Sequence, residues 1–460
     1  MSNSNGTQQC FLKLMLIIAG FASILTIGSP VSGQESAVEE KVTESSDEAK
    51  PDQHELNLKS LDFIFEKIRD STWEKDFDIE GWTKKRDEIR EKITPDTDMD
   101  EVRSLMGEML GWLGKSHFGI MPKELYDGWD DEESDKSGGH AGISFRMVDG
   151  KVLVSEVREG SDAESKGVKP GWELTEAKGK SVGEFTEALK DSLPDLMKEH
   201  LSTVVGFALQ RRMSGAVDSE LRLTFLDDKG ESQSLKIVRK EQKGEVVEVF
   251  NLPKMVIRHE VKELDGGVGY LMFDGFFAPT QIFADLKKAV EIARNGKGLI
   301  IDLRGNGGGI GGMAMGIGGP LASDEFDEPQ YLGTLITKDM SLKFILTPRL
   351  NPYNGPVAVL TDEMSASTSE ILAGGLQALK RARIFGARTA GMALPSLIDK
   401  LPNGDRFQYA FATYVDAKDR TLEGDGVTPD EKVTLSKDDL LSGKDAVLEA
   451  AIKWIAKEAG

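Results

Sequence analysis

The sequence predicts a multidomain α/β protein, and three observations lead there: helical apolar spacing early in the chain, a β-type stretch in the middle, and alternating strand and helix patterns from about residue 245 onward. At 460 residues, 39% hydrophobic and 29% charged, the chain is long enough for two or three units with their own cores. Its 57 Lys and Arg stand against 78 Asp and Glu, a formal charge of −21 that repels phosphate backbones. Nucleic acid is disfavoured as a partner; a small or peptidic ligand is expected.

An apolar run from Phe11 to Gly28, interrupted by Lys13, leads to the small-residue site Val31-Ser32-Gly33 before Gln34. Residues 1–33 are therefore read as a signal peptide, which places the rest in a periplasmic or extracellular compartment. An uncleaved segment would anchor the protein to the membrane and export it equally. Cys10 is the single cysteine and precedes this run, so the mature chain has no intramolecular disulfide, Cys-based zinc site or thiol nucleophile. Residues 34–57 are rich in Glu, Asp, Ser and Lys and read as a disordered acidic linker.

Residues 58–135 are expected to form a helical N-terminal subdomain, from the spacing of Leu61, Ile64, Phe65 and Ile68 and of Val102, Leu105, Met106, Met109, Leu110 and Leu113. Its last helix stops at Gly114, just before Ser116-His117. A second acidic stretch, Asp127 to Asp135, and Gly138-Gly139 mark a boundary. Residues 138–243 then read as strands, beginning Gly142-Ile-Ser-Phe-Arg-Met, turning at Asp149-Gly150 and closing with Glu220-Leu-Arg-Leu-Thr-Phe and Ser234-Leu-Lys-Ile-Val. That order of segments resembles a PDZ domain of the kind found in bacterial proteases, with a helical insertion around 191–212. The resemblance implies that the loop through His140 offers the backbone N–H groups of Ala141, Gly142 and Ile143 to a peptide's terminal carboxylate.

Residues 245–460 alternate: strands at 268–273, 298–303 and 357–361, helices at 280–294 and 368–382. Ser367 opens the last helix, and Ser367-Thr-Ser-Glu370 fits a capping box, which is the ordinary role of such a serine. Its context is less ordinary. A buried strand turning tightly into a small-residue helix presents Ser367 above the sheet edge, beside a helix terminus whose N–H groups can stabilise an oxyanion.

Three segments then resemble one family, the C-terminal processing (tail-specific) serine peptidases. Ser365-Ala-Ser367-Thr-Ser-Glu-Ile resembles their nucleophile segment, in which the second serine attacks. Arg304-Gly-Asn306-Gly-Gly-Gly309 after a strand resembles their Arg-x-Asn-x-Gly-Gly, and Gly426-Val-Thr-Pro429-Asp430 their closing Gly-x-x-Pro-Asp. The resemblance implies a ClpP/crotonase-like α/β core, an acyl-enzyme on Ser367, a protein or peptide substrate, and no metal or organic cofactor. Gly307-x-Gly309-x-x-Gly312 also fits a dinucleotide fingerprint, but Arg304-Gly-Asn306 separate it from the strand end. The preferred role is an oxyanion hole, with the N–H of Gly307 or Gly308 and that of Thr368 pointing at the developing alkoxide.

The general base departs from the commoner family pattern. Ser/Lys members carry the base in Thr-x-Gly-Lys, where this chain has Thr389-Ala-Gly-Met392, and Ala378 replaces a supporting Asp. Relatives of the tricorn type use a Ser-His pair and a Glu before the closing motif, which here are Ser116, His117 and Glu423. By that resemblance His117 takes the proton of Ser367, and Glu423 orients the imidazole directly or through Ser116. An imidazole titrates near ~6.5, and Glu423 is expected to raise it. Lys400 is the alternative base. His54, His200 and His259 are expected to be solvated. A catalytically silent peptide-binding scaffold and a small-ligand carrier, as in the interphotoreceptor retinoid-binding proteins, remain the alternatives on the same fold.

Overall fold

The computed structural model describes residues 52–124, 138–193, 195–249, 251–322, 329–348 and 351–460. The expected signal peptide, most of the acidic linker and the acidic stretch at 127–135 lie outside the described residues. Among those described, no helix is long and apolar enough to cross a membrane.

Three helices come first, α1 (Gln53–Ser71), α2 (Ile79–Lys92) and α3 (Met99–Gly111). Each begins at an aspartate, Asp52, Asp78 or Asp98, whose carboxylate accepts a free N–H of the first turn. Helix α1 therefore starts within the stretch read as linker: a polar first turn hides a helix whose apolar stripe begins only later. Leu61, Ile64, Ile68, Trp82, Ile89, Val102, Met106 and Met109 are buried in one cluster that continues into the C-terminal unit. The helices are thus bound to that unit, and Arg103 fixes them with two hydrogen bonds to buried Asp405, at 2.9 and 3.0 Å. A short strand, Gly119–Met121, pairs antiparallel with Arg406–Ala410. Ser116-His117 lies between this strand and α3.

The middle unit is an antiparallel sheet in the order β1 (Ile143–Val148), β2 (Lys151–Val157), β3 (Glu173–Ala177), β4 (Glu220–Leu226) and β5 (Ser232–Val238). Asp149 and Gly150, with φ of 50° and 77°, make the two-residue β1–β2 turn in which both residues are left-handed. Helix α4 (Val182–Ser192) precedes the expected insertion, which is a short 3₁₀ turn, Asp195–His200, running into α5 (Leu201–Met213). Val205, Leu209 and Met213 of α5 join the core of this sheet.

In the C-terminal unit a six-stranded sheet runs β6 (His259–Leu264), β7 (Val268–Phe273), β8 (Gly298–Asp302), β9 (Val357–Thr361), β10 (Arg383–Gly386) and β11 (Glu431–Lys432), with only β6 antiparallel. Every residue of β8 and β9 is buried, as continuous apolar runs in parallel strands require. Helix α6 (Pro279–Asn295) covers one face through Ile282, Leu286, Ala289 and Ala293. Helix α8 (Ala446–Glu458) covers the other through Val447, Ala451 and Ile455. Between them in sequence, α7 (Thr368–Ala378) ends four residues earlier than its pattern suggests. Lys380, at φ 56°, turns the chain back into β10.

Candidate active site

The turn from β9 into α7 is fixed by buried polar groups. The Asp362 carboxylate accepts the N–H of Gly305 at 2.9 Å and of Met364 at 3.0 Å, while Ser365 donates its hydroxyl to the carbonyl of Leu303. Arg146 of β1 reaches across from the middle unit and bonds the same carboxylate at 2.7 Å. Ser367 follows with φ 55° and ψ −117°, a conformation that a residue with a Cβ adopts only at a cost. Nucleophile elbows carry this kind of strain, which lifts the hydroxyl clear of the sheet. The Ser367 N–H is held by the carbonyl of Met392 at 2.8 Å and by Glu370 Oε2 at 3.0 Å.

The glycine loop is built onto this turn by Asn306, which is fully buried. Its side-chain amide donates to the carbonyl of Phe273 at 2.7 Å, and its backbone carbonyl accepts from Ala366 N–H and from the Ser369 hydroxyl. Its Oδ1 accepts the N–H of Gly308 at 2.9 Å. Gly308 is therefore withdrawn from the pair of candidate donors, and Gly307 remains. Gly308 has another role: at φ 95° it packs so closely that a Cβ would lie 2.6 Å from that of Ser367 and 3.0 Å from the nitrogen of Thr368. Thr368 is the first residue of α7, so its N–H has no partner within the helix.

The adjacent pair Ser116-His117 and the distant Glu423 are brought together. The Ser116 hydroxyl donates to Glu423 Oε2 at 2.9 Å and lies 2.7 Å from His117 Nδ1. Since that hydroxyl proton goes to Glu423, the oxygen accepts from His117, which puts the imidazole proton on Nδ1 and leaves the lone pair on Nε2. Glu423 Oε1 accepts the Ser116 N–H at 2.9 Å, and Oε2 also accepts the N–H of Ala393 at 2.9 Å. Of the two routes left open by the sequence, the carboxylate takes the one through Ser116. Desolvation pushes the His117 imidazole down to about 4, against the rise expected from Glu423. The bond from Glu423 is spent on the hydroxyl and not on the ring.

The remaining sequence candidates fall differently. Met392 meets the turn through its backbone, its N–H donating to Glu370 Oε2 at 3.0 Å. Lys400 is exposed at the end of the strand Ser396–Lys400, in register with Arg406 of the neighbouring strand. His54 lies in α1, and His259 is bonded to buried Asp285 at 2.6 Å. His200 is buried, with its ring against Gly391, so the expectation of solvation fails for it. Ala141, Gly142 and Ile143 are buried as well. The N–H of Ala141 donates to the carbonyl of Met213 at 3.0 Å and that of Gly142 to Nδ1 of His140 at 2.9 Å, so in this state two of the three expected carboxylate donors are occupied.

Two features escaped the sequence. One is Glu370, legible only as a helix cap. The other is α5, whose outward face lies on the site: a Cβ on Gly307 would be 3.2 Å from the Phe207 ring and one on Gly206 2.6 Å from Met364 Sδ, and Thr203 donates to the carbonyl of Glu363 at 2.8 Å.

Residues 267–433 match peptidase family S41. The chain is 24% identical over 389 residues, 82% of its own length and 69% of the relative's, to a chloroplastic carboxyl-terminal-processing peptidase 3 of Arabidopsis thaliana. It is 24% identical over 338 residues to a protein of Staphylococcus haemolyticus named "Probable CtpA-like serine protease", covering 70% of this chain and 60% of that one. Among solved structures, the photosystem II D1 C-terminal processing protease superimposes with a TM-score of 0.55 at 18% identity, over 85% of this chain and 96% of that chain. Mature CPAF, in its complex with lactacystin, gives 0.58 at 13% identity, over 88% and 98%. Residues 267–433 thus carry a domain of peptidase family S41, and the chain, whose relatives include a carboxyl-terminal-processing peptidase, is a serine-type peptidase.

Proposed function

We propose that the protein is an exported serine endopeptidase that cleaves protein or peptide substrates selected by their C-terminal tails, with Ser367 as nucleophile and His117 as base. The observation that carries this reading is the continuous chain from Glu423 through Ser116 to His117, anchored by Ala393 beside the residue that holds Ser367. In the reaction, His117 Nε2 takes the Ser367 proton as the hydroxyl oxygen attacks the scissile carbonyl carbon. The N–H groups of Thr368 and Gly307 stabilise the resulting oxyanion. His117 returns the proton to the leaving amine as the C–N bond breaks, and water, activated by the same base, hydrolyses the acyl-enzyme. Export rests on the apolar run and the Val31-Ser32-Gly33 site alone.

The middle unit, read as PDZ-like, is the tail receptor and the gate. Helix α5 touches both ends of the path: the Phe207 ring stands beside exposed Gly307, and the Met213 carbonyl holds the Ala141 N–H that would receive a carboxylate. A tail adding to β1 replaces that second contact and loosens the first. Labelling by a fluorophosphonate probe tests the enzyme reading: the wild type is labelled at Ser367 and Ser367→Ala is not, while loss of labelling in a folded His117→Ala protein supports the base. An unlabelled wild type would favour the silent scaffold.

A further inference from the structure

Glu370 is fully buried at the third position of α7, and four donors surround its carboxylate. Oε2 accepts the N–H of Ser367 at 3.0 Å and of Met392 at 3.0 Å; Oε1 accepts the Thr389 hydroxyl at 2.6 Å and the Gly391 N–H at 2.8 Å. These donors belong to two segments, the nucleophile turn and residues 389–392. The second segment continues to Glu423. Ala393 donates to the Glu423 carboxylate, Gly424 N–H donates to the Gly391 carbonyl at 2.8 Å, and Thr389 Oγ1 accepts the Val427 N–H at 2.6 Å. With its oxygen already accepting from Val427, Thr389 turns its own proton to Glu370. Every partner of the carboxylate is thus a donor.

We propose that Glu370 is a positioning residue for Ser367 that works only as the carboxylate: ionised, it locks the strained serine turn to the segment holding Glu423, and protonated, it lets the two separate. A carboxylic acid would bring a fifth hydrogen into a shell of four donors, so at least one bond is lost on protonation. This rests on the reading of Ser367 as nucleophile.

The charged and titratable groups around it are committed elsewhere. Glu423 bonds Ser116 and Ala393, Arg388 reaches the Gly424 carbonyl and Glu199, His117 bonds Ser116, and His200 packs on Gly391. Burial pushes the Glu370 carboxyl up to about 7, against the four bonds that favour the charge. Activity therefore falls as pH drops through about 7, well before His117 gains a proton at about 4. Stability has the opposite sign. A folded-state value above the unfolded one adds stability at low pH that is lost as pH rises through 7.

The test uses the full chain, following peptide hydrolysis and Ser367 acylation by a fluorophosphonate from about pH 5 to 9 in wild type, Glu370→Gln and Glu370→Asp. Glu370→Gln sets an amide N–H against donors and cannot ionise. It should lower kcat at pH 8 by about tenfold or more with KM within about twofold, and it should lack the acidic limb near neutrality. Glu370→Asp, which can still ionise, should keep a limb, and this rescue separates positioning from folding if Glu370→Gln is unstable. A Glu370→Gln enzyme with wild-type kcat and an unchanged limb, or a Glu370→Asp enzyme with no limb, would overturn the proposal. An unlabelled wild type at every pH would instead remove the nucleophile reading on which it stands.

Discussion

The hydroxyl of Ser116 stands 2.7 Å from Nδ1 of His117 and donates its hydrogen bond to Glu423, so a neutral serine connects the acid to the imidazole. Ser116→Ala leaves the ring N–H and one carboxylate oxygen short of a bond in a buried place, at a cost of about 1–3 kcal/mol. As this is paid in imidazole orientation, kcat should fall roughly tenfold to a hundredfold with KM little changed. Glu423→Gln should act alike, and the double variant should be scarcely worse than either, since both act through one ring. Additive losses in steady-state peptide hydrolysis would show two independent roles.

His117 carries its own pH signature. Its folded value of about 4 lies below the ordinary 6.5, so as pH falls below 6.5 the unfolded chain takes up the proton first. The stability this ring contributes is lost progressively between about 6.5 and 4. Wild type should therefore lose thermal midpoint relative to His117→Gln across that window and not above it, measured by circular dichroism at matched ionic strength. A difference that is flat with pH would mean that the ring is solvated.

How far these elements were legible in the sequence follows from how local their causes are. The buried strands at 298–302 and 357–361 and the glycine and serine segments are contiguous patterns, so their positions could be read directly. Ser116, His117 and Glu423 were legible only through a resemblance, because no spacing rule joins residues about 300 apart. The start of α1 was missed because a polar first turn after Asp52 looks like linker composition. The burial of His200 and the second face of α5 were missed for a different reason. Thr203, Gly206 and Phe207 gain their meaning from Glu363, Met364 and Gly307, which the fold supplies from more than 90 residues away. Glu370 showed its capping pattern but not its bonds to Thr389, Gly391 and Met392, since the loop that brings them is set by tertiary packing.

Gly308 should tolerate no side chain. A methyl group there would meet Ser367 Cβ at 2.6 Å and the Ala366 carbonyl at 2.8 Å, on a backbone at φ 95°. Since these neighbours are the turn of the proposed nucleophile, Gly308→Ala should displace Ser367 before it unfolds the protein, because the sheet and its helices are untouched. Peptidase activity and fluorophosphonate labelling should both drop by more than about a hundredfold, the effect of several kcal/mol at the reacting centre. Retained labelling would mean that the turn has room to move.

The seat of α5 predicts that the enzyme is held back by its own middle unit. The Phe207 ring stands beside exposed Gly307 without belonging to the proposed catalytic set, so Phe207→Ala should widen the approach to the proposed oxyanion donor and leave Ser367, His117 and Glu423 in place. Turnover of a short peptide too small to engage both units should rise several-fold, and the rise should disappear in the Phe207→Ala, Ser367→Ala double variant. A long substrate with a free C-terminus should gain less if, as proposed, its tail takes the Ala141 N–H from the Met213 carbonyl and loosens the same helix. Amidating that C-terminus should cost the wild type more activity than it costs Phe207→Ala, since only the wild type needs the tail to open the path. Equal losses in the two proteins would uncouple tail capture from the gate. An unchanged or lower short-peptide rate in a folded Phe207→Ala protein would mean that the ring belongs to the substrate site and not to a cover over it.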